Sequence, residues 1–137
     1  MGFNIRRVDY FYTNVKDEPG EAYGVLSKLA DLDVNLLAFI GVPTGPTRTQ
    51  LTLFPEDTAR LTEAAEMAGM VLQGPNHALL VQGDDEMGVL ASVHNQLYQA
   101  NVNVYASYCV AAGRGSFGYL IYVRPDEFHR AVTALGI

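Results

Sequence analysis

The stretch DEPGEAYGVLSKLADLDVN, residues 17–35, decides the fold because the chain repeats it. Residues 85–103 read DEMGVLASVHNQLYQANVN, and an offset of 68 superimposes the two glycine turns, the apolar helical positions and the closing Val-Asn. Further on, an offset of 70 aligns Pro55 with Pro125, beyond a Gly/Pro/Thr-rich turn where insertions cost little. The sequence therefore predicts two copies of a unit of roughly 65 residues rather than a short-period repeat.

The first copy has the order strand, helix, strand, strand, helix, strand. Apolar residues alternate with polar ones in the strands and recur at helical spacing in the helices. The predicted segments are a strand over 8–13, a helix over 22–29, strands over 36–42 and 48–53, a helix over 56–68 and a short strand over 70–73. This order predicts an antiparallel sheet with both helices on one face.

The second copy repeats the pattern but ends one strand early. Its predicted segments are a strand over 78–82, a helix over 90–100, strands over 102–110 and 117–123, and a helix over 128–135. The sequence ends at Ile137, where the first copy continues into a fourth strand. We therefore expect the second sheet to take its missing strand from a segment near Met1–Ile5 or from a partner chain.

The predicted fold class is α+β, with two ferredoxin-like βαββαβ units, antiparallel sheets, helices on one face, and a second unit lacking its last strand. The expected units are residues 1–74 and 75–137, joined by the short linker QGPN at 73–76. The bare face of the second sheet would carry Tyr105, Cys109, Leu120 and Tyr122. Because that face is too apolar to stay in contact with water, the sequence predicts a homodimer or larger assembly.

Composition excludes several classes of partner. The formal net charge is −6 and the nine Lys and Arg residues are scattered, so neither nucleic acid nor an anionic membrane is an expected partner. No apolar run is long enough to cross a membrane, and the N-terminus lacks a signal-peptide pattern. The single cysteine, Cys109, permits no internal disulfide, which favours a cytoplasmic location.

The two repeated stretches resemble ACT domains, the small regulatory modules named after aspartate kinase, chorismate mutase and prephenate dehydrogenase-type enzymes. The resemblance covers nearly the whole chain and rests on the polar residue, the Pro-Gly turn, the apolar helix and the Val-Asn that enters the next strand. It implies a ferredoxin-like fold, side-by-side pairing of units, and an amino acid or similar small effector bound near the start of the first helix. The second copy departs from the family in having Met87 where proline is usual.

The candidate ligand-binding residues come from the repeated turn and the Val-Asn. A glycine permits close approach of a ligand, and a helix N-terminus attracts a carboxylate. The aspartates would pair with an ammonium group, and the asparagines would offer both a donor and an acceptor. The candidates are Asp17, Glu18, Pro19, Gly20 and Asn35 in the first copy, and Asp85, Glu86, Met87, Gly88 and Asn103 in the second. The alternative is that the aspartates cap helices or shape turns and the asparagines only terminate helices.

The remaining chemical signals are weak. GRGSFG at 113–118 fits G-x-G-x-x-G, but the residues after it alternate as a strand, whereas the dinucleotide fingerprint needs a helix there. The three histidines lack metal-ligand spacing, the acidic run at 84–86 is typical of solvated surface, and Cys109 has no neighbouring base. The sequence predicts no catalytic residue, no metal and no cofactor.

The leading hypothesis is a non-catalytic regulatory or sensor protein that binds an amino acid or similar small effector at the interfaces between ACT units. It would act alone or on a partner enzyme that the sequence does not specify. Two alternatives stay open. One is a small ferredoxin-like dimeric enzyme or carrier for an apolar substrate, which the abundance of Tyr and Phe would suit. The other is a pure dimerisation scaffold.

Overall fold

The computed structural model describes residues 2–84 and 86–137, which form six strands and four helices. In chain order these are β1 (Phe3–Lys16), α1 (Glu21–Asp31), β2 (Leu36–Pro43), β3 (Arg48–Pro55), α2 (Thr58–Ala68), β4 (Gln73–Asp84), α3 (Val89–Gln99), β5 (Val104–Gly113), β6 (Ser116–Val123) and α4 (Pro125–Leu135). The protein is therefore α+β, as the sequence predicts. Among the described residues, no helix has both the length and the apolar character that a membrane crossing requires.

The elements form two compact units that share two strands. One unit is Asp9–Asn76, and the other combines residues 2–8 with the described part of His77–Ile137. Both β1 and β4 run through the division, so each contributes one segment to each unit. The expected division between residues 74 and 75 lies two residues from the point where the chain passes between units within β4.

The Asp9–Asn76 unit has the strand order β2-β3-β1-β4. β3 pairs antiparallel with both β1 and β2, and its Leu53 lies opposite Phe11 on one side and Phe39 on the other. Leu29 from α1 and Leu61 from α2 pack against Phe11 and Leu53, so both helices cover the same face. This is the ferredoxin-like arrangement that the order of predicted segments implies.

The second unit has the strand order β1-β4-β6-β5, in which residues 3–8 of β1 take the fourth-strand position. The Asp84 backbone N donates to the Gly2 carbonyl oxygen at 2.6 Å, and Phe3 and Ile5 pack on the core of this unit. No strand follows Leu135 in the structure. The prediction that a segment near the N-terminus completes the second sheet is confirmed for the described residues 2–5.

Two predicted boundaries around the middle of the chain are wrong. Residues 70–72 form no strand, and QGPN at 73–76 is the beginning of β4 rather than a linker. These residues lie close against β1, since a Cβ at Gly74 would be 2.8 Å from Phe11 Cδ2 and 2.9 Å from the Tyr10 carbonyl oxygen. Pro75 is tolerated because this part of β4 is the edge of its unit's sheet.

The offset of 70 between the copies is also wrong. β1 pairs Phe11 with Leu53, and β4 pairs Leu79 with Ile121, so an offset of 68 persists through β3 and β6. Pro55 and Pro125 are not equivalent, because the first is the last residue of β3 and the second is the first residue of α4. Two prolines of different structural role produced the false alignment.

The sheet face that was expected to be bare is only partly so. Leu120 and Tyr122 have exposed fractions of 6% and 8%, and are thus buried within the chain itself. Tyr105 remains 52% exposed. The placement of Cys109 on this face is wrong, because it lies opposite the core residue Tyr119 and therefore projects to the helix side of the sheet. Two of the four residues that motivated a homodimer therefore need no second copy to cover them, and the homodimer stays a prediction.

Candidate functional site

The two repeated turns adopt the same backbone conformation. Gly20 and Gly88 are the N-caps of α1 and α3, with φ of 88° and 85°, in the left-handed region that glycine reaches without steric cost. The Gly24 N donates to the Gly20 carbonyl oxygen at 2.9 Å, and the Ser92 N donates to the Gly88 carbonyl oxygen at 3.0 Å. The repeated glycine thus has a backbone reason that holds in both copies.

Neither helix start is capped by a side chain. Asp17 uses its backbone N to donate to the Thr47 carbonyl oxygen at 2.9 Å, and Glu18 N donates to the Lys16 carbonyl oxygen at 2.9 Å. Among the described residues, neither the Asp17 nor the Glu18 carboxylate has a hydrogen bond or an ion pair, and both side chains are exposed. The alternative that Asp17 caps α1 is therefore wrong, and its carboxylate is available to a ligand.

The turn in the second copy offers less. Asp85 lies outside the described residues, while Glu86 and Met87 are exposed. A small cavity of about 30 Å³ lies beside this turn, lined by Glu86, Val89, Leu90, Cys109 and Phe117. That volume suits about one water molecule rather than an amino acid.

The valine of the repeated Val-Asn belongs to a helix C-cap. Asp33 and Asn101 follow α1 and α3 with φ of 59° each. The next residues close the motif, because Val34 N donates to the Leu29 carbonyl oxygen at 2.9 Å and Val102 N donates to the Leu97 carbonyl oxygen at 2.9 Å. This is the hydrogen-bond pattern of a Schellman motif. Helix termination therefore explains why this part of the sequence repeats.

Asn35 and Asn103 lie away from the glycine turns. Asn35 Nδ2 donates to Glu56 Oε2 at 2.7 Å, and the Asn103 backbone N donates to Glu127 Oε1 at 3.2 Å. Glu56 follows the end of β3, whereas Thr47, the partner of Asp17, precedes its start. A strand of eight residues spans about 26 Å. The structure therefore does not bring Asn35 and Asp17 of one unit together.

A larger cavity of about 400 Å³ lies beside the first turn. It is lined by Lys16, Asp17, Glu18, Pro46, Thr47 and Arg48. Two acidic and two basic side chains thus face one open depression. Lys16 and Arg48 were not predicted from the sequence, because only the pairing of β1 with β3 brings the residue before the acidic turn next to the residue after the Pro-Thr turn.

Asn103 lies at a third cavity, of about 320 Å³, with two arginines. Arg130 is already engaged there. Its Nε donates to the Ala100 carbonyl oxygen at 3.0 Å, and one of its terminal nitrogens bonds the Asn101 carbonyl oxygen at 3.0 Å and Glu127 Oε1 at 3.2 Å. Arg130 thus satisfies the last carbonyl groups of the α3 end, which is a structural role.

Other chemical signals have structural explanations. GRGSFG is the hairpin turn between β5 and β6, with left-handed residues at Gly113, Arg114 and Gly115, so the dinucleotide interpretation stays rejected. The His94 side chain contacts the Tyr119 hydroxyl at 2.5 Å inside the second unit. Within residues 2–84 and 86–137, no group of three His, Cys, Asp or Glu residues is arranged to hold a metal ion.

Solved structures share this fold over the full chain. The protein BT0572 from Bacteroides thetaiotaomicron aligns with a TM-score of 0.76 at 15% identity, covering 94% of this chain and 88% of that one. The ligand-free regulatory subunit of aspartate kinase from Thermus thermophilus aligns with a TM-score of 0.64 at 17% identity, covering 99% and 95%. This chain has a tandem ACT fold. The corresponding subunit from Thermus flavus has the same tandem ACT fold, with a TM-score of 0.60 at 17% identity.

No protein-family model matches the chain, and no curated protein matches its sequence. The tandem ACT fold is thus shared at 15–17% identity. Similarity at that level establishes the arrangement of strands and helices. It does not carry over a ligand or a partner.

Proposed function

We propose that this protein is a non-catalytic regulatory or sensor protein that binds an amino acid or a similar small effector beside the turn that precedes α1. The observation that carries the proposal is the cavity of about 400 Å³ with the unpaired carboxylates of Asp17 and Glu18 in its wall. The tandem ACT fold, shared with regulatory subunits of aspartate kinase, supports a regulatory role.

The chemistry of the turn suits a ligand with an ammonium group. Asp17 and Glu18 are adjacent, exposed and unpaired among the described residues, so an ammonium group would gain charge-assisted hydrogen bonds without displacing an existing partner. The left-handed Gly20 adds no side chain at the start of α1, and open space surrounds its Cα. A small polar molecule could therefore approach the backbone closely.

Asn35 enters this proposal only through a second copy of the chain. Within one unit it is bonded to Glu56 at the opposite end of β3 from Asp17. A ligand that touches both residues would have to lie between two copies, with Asp17 from one and Asn35 from the other. The homodimer is therefore part of the proposal wherever Asn35 is counted as a ligand residue.

A thermal-shift screen of the twenty amino acids tests the proposal first. A ligand present at one hundred times its Kd stabilises the native state by about 2.7 kcal/mol, which raises the Tm by several degrees. Calorimetry with Asp17→Ala then tests the site. Losing one charge-assisted hydrogen bond costs about 1.5–3 kcal/mol, so affinity should fall roughly ten- to a hundredfold.

The matched control is Asp31→Ala, which removes an exposed carboxylate at the other end of α1. It should leave the affinity unchanged. If neither substitution alters the affinity of a ligand found in the screen, that ligand binds elsewhere. If no amino acid raises the Tm, the result supports the alternative of a dimerisation scaffold. The exposed, uncharged edge strand β5, with Tyr105, Tyr108 and Val110, favours that alternative.

A further inference from the structure

The strongest unexplained feature of the first cavity is a pair of like charges. Lys16 and Arg48 lie directly opposite each other in the pairing of β1 with β3. Residues opposite each other in an antiparallel pair project from the same face of the sheet, and like charges in that arrangement are destabilising. Both side chains are exposed, and neither has an ion pair or a side-chain hydrogen bond among the described residues. Asp17 and Glu18 line the same cavity, but neither forms an ion pair with these cations among the described residues.

The second copy lacks this pair at the equivalent positions. With the offset of 68, Lys16 corresponds to Asp84 and Arg48 to Ser116, which are partners in the pairing of β4 with β6. Arg114 lies in the turn before Ser116, but an acid occupies the position opposite Ser116. The two turns share a backbone conformation. Only in the first copy do the two paired strand residues beside the turn both carry a positive charge.

We propose that Lys16 and Arg48 bind the carboxylate of a small zwitterion, whose ammonium group lies on Asp17 and Glu18, so that each chain carries one such site. This inference rests on the proposed function and assigns its ligand class. A carboxylate offers the two acceptor oxygens that a lysine and an arginine on one face can share, and its charge offsets their repulsion. Amines without a carboxylate would then bind poorly, as would carboxylates without an amine.

The test uses three small probes and an NMR titration of the whole protein. Glycine carries both charged groups, sodium acetate only the carboxylate, and methylammonium only the amine. Low ionic strength is needed because salt screens exposed charges. We expect saturable shifts at the backbone amides of Asp17, Thr47 and Arg48, with the highest affinity for glycine. The absence of saturable shifts with glycine would overturn the inference, as would equal affinity for methylammonium.

Variants then assign the residues. Lys16→Gln and Arg48→Gln should each weaken glycine binding roughly tenfold, the effect of losing one charge-assisted contact. The control Arg114→Gln removes the cation near the second turn and should change nothing. Because each of the two variants also relieves repulsion, neither should lower the Tm of the free protein. Unchanged affinity in Lys16→Gln and Arg48→Gln would overturn the inference, as would an equal loss in Arg114→Gln.

The two proposals can fail separately. Asp17→Ala could weaken the binding of an amino acid found in the screen while Lys16→Gln and Arg48→Gln leave its affinity unchanged. In that case the proposed function stands, and the carboxylate of the ligand binds elsewhere. If acetate shifts the Thr47 and Arg48 amides and Arg48→Gln abolishes the shift, yet no amino acid binds, the cation pair is an anion site. The proposed function would then be wrong.

Discussion

The two glycine turns have the same backbone and different surroundings. Gly20 and Gly88 share their left-handed conformation to within a few degrees, and both lead into helices of eleven residues. The side chains around them have diverged, with Lys16 and Arg48 beside the first turn and Asp84 and Ser116 beside the second. The comparison teaches that the fold requires the glycine and the helix cap in both units. The fold does not fix the polar residues that surround each turn, so these residues can differ between the copies.

The largest expected effect concerns the strand that the second unit takes from the N-terminus. A chain that starts at Asp9 loses Phe3 and Ile5 from the core of that unit, and it leaves residues 77–84 of β4 without their β1 neighbour, so that β4 is paired with β6 alone. Phe3 and Ile5 are partly buried, so the about 3–6 kcal/mol expected for fully burying two such side chains is an upper limit for their contribution, still a large share of the stability of a small domain. We expect the second unit to lose cooperative unfolding while the Asp9–Asn76 unit keeps its dispersed NMR signals.

Hydrogen exchange read residue by residue checks this expectation. The control is the whole protein measured under the same conditions. Protection of the β6 amides in the truncated chain at the level of the whole protein would show that residues 2–8 are dispensable. The difference between the two units would then lie only in the residues around the two glycine turns.

A single methyl group tests the same contact more gently. A Cβ at Gly83 would collide with the Gly2 carbonyl oxygen and with Phe3, whereas a Cβ at Gly118, on β6 of the same unit, meets nothing within 4 Å. Gly83→Ala should therefore destabilise the protein by about 1–3 kcal/mol through overpacking. Gly118→Ala should stay within about 0.5 kcal/mol of the wild type. Urea midpoints measure both, and equal midpoints for the two variants would contradict the contact.

The smallest expected effect separates the two asparagines. Asn35 donates from its side chain to Glu56, whereas Asn103 uses its backbone N and has no side-chain hydrogen bond among the described residues. Asn35→Ala should cost about 0.5–1.5 kcal/mol, at the low end because the bond is exposed, and Asn103→Ala should be near neutral. Paired denaturation curves decide between them. A larger loss in Asn103→Ala would mean that the shared sequence reflects a shared role after all.

The sequence was sufficient for the fold because the decisive signals are local. The glycine, the apolar helical stripe and the Val-Asn are each recognised within about one helix length of sequence. Each also occurs in both copies, so one copy supports the prediction for the other. The false match of Pro55 with Pro125 shows the limit. Residue identity alone did not distinguish the end of a strand from the start of a helix.

The candidate site depended on information that the sequence does not carry. Lys16 and Arg48 are 32 positions apart, and only the register of β1 against β3 makes them neighbours. Asn35 was grouped with Asp17 because both recur, yet α1 lies between them and places them at opposite ends of β3. Repetition identified the residues that the fold needs, whereas the two cations that we propose for a carboxylate have no counterpart in the second copy.

The sharing of β1 between the units has a consequence for the order of events during synthesis. Residues 2–8 leave the ribosome before the Asp9–Asn76 unit, and their pairing partner, residues 77–84, is completed 76 residues later. At ordinary translation rates that interval lasts roughly 4–15 s. During it, the Asp9–Asn76 unit has all of its own residues and can fold, which converts the long loop between the two strand segments into a compact body. The strand segment with Phe3 and Ile5 therefore stays without its pairing partner until residues 77–84 emerge.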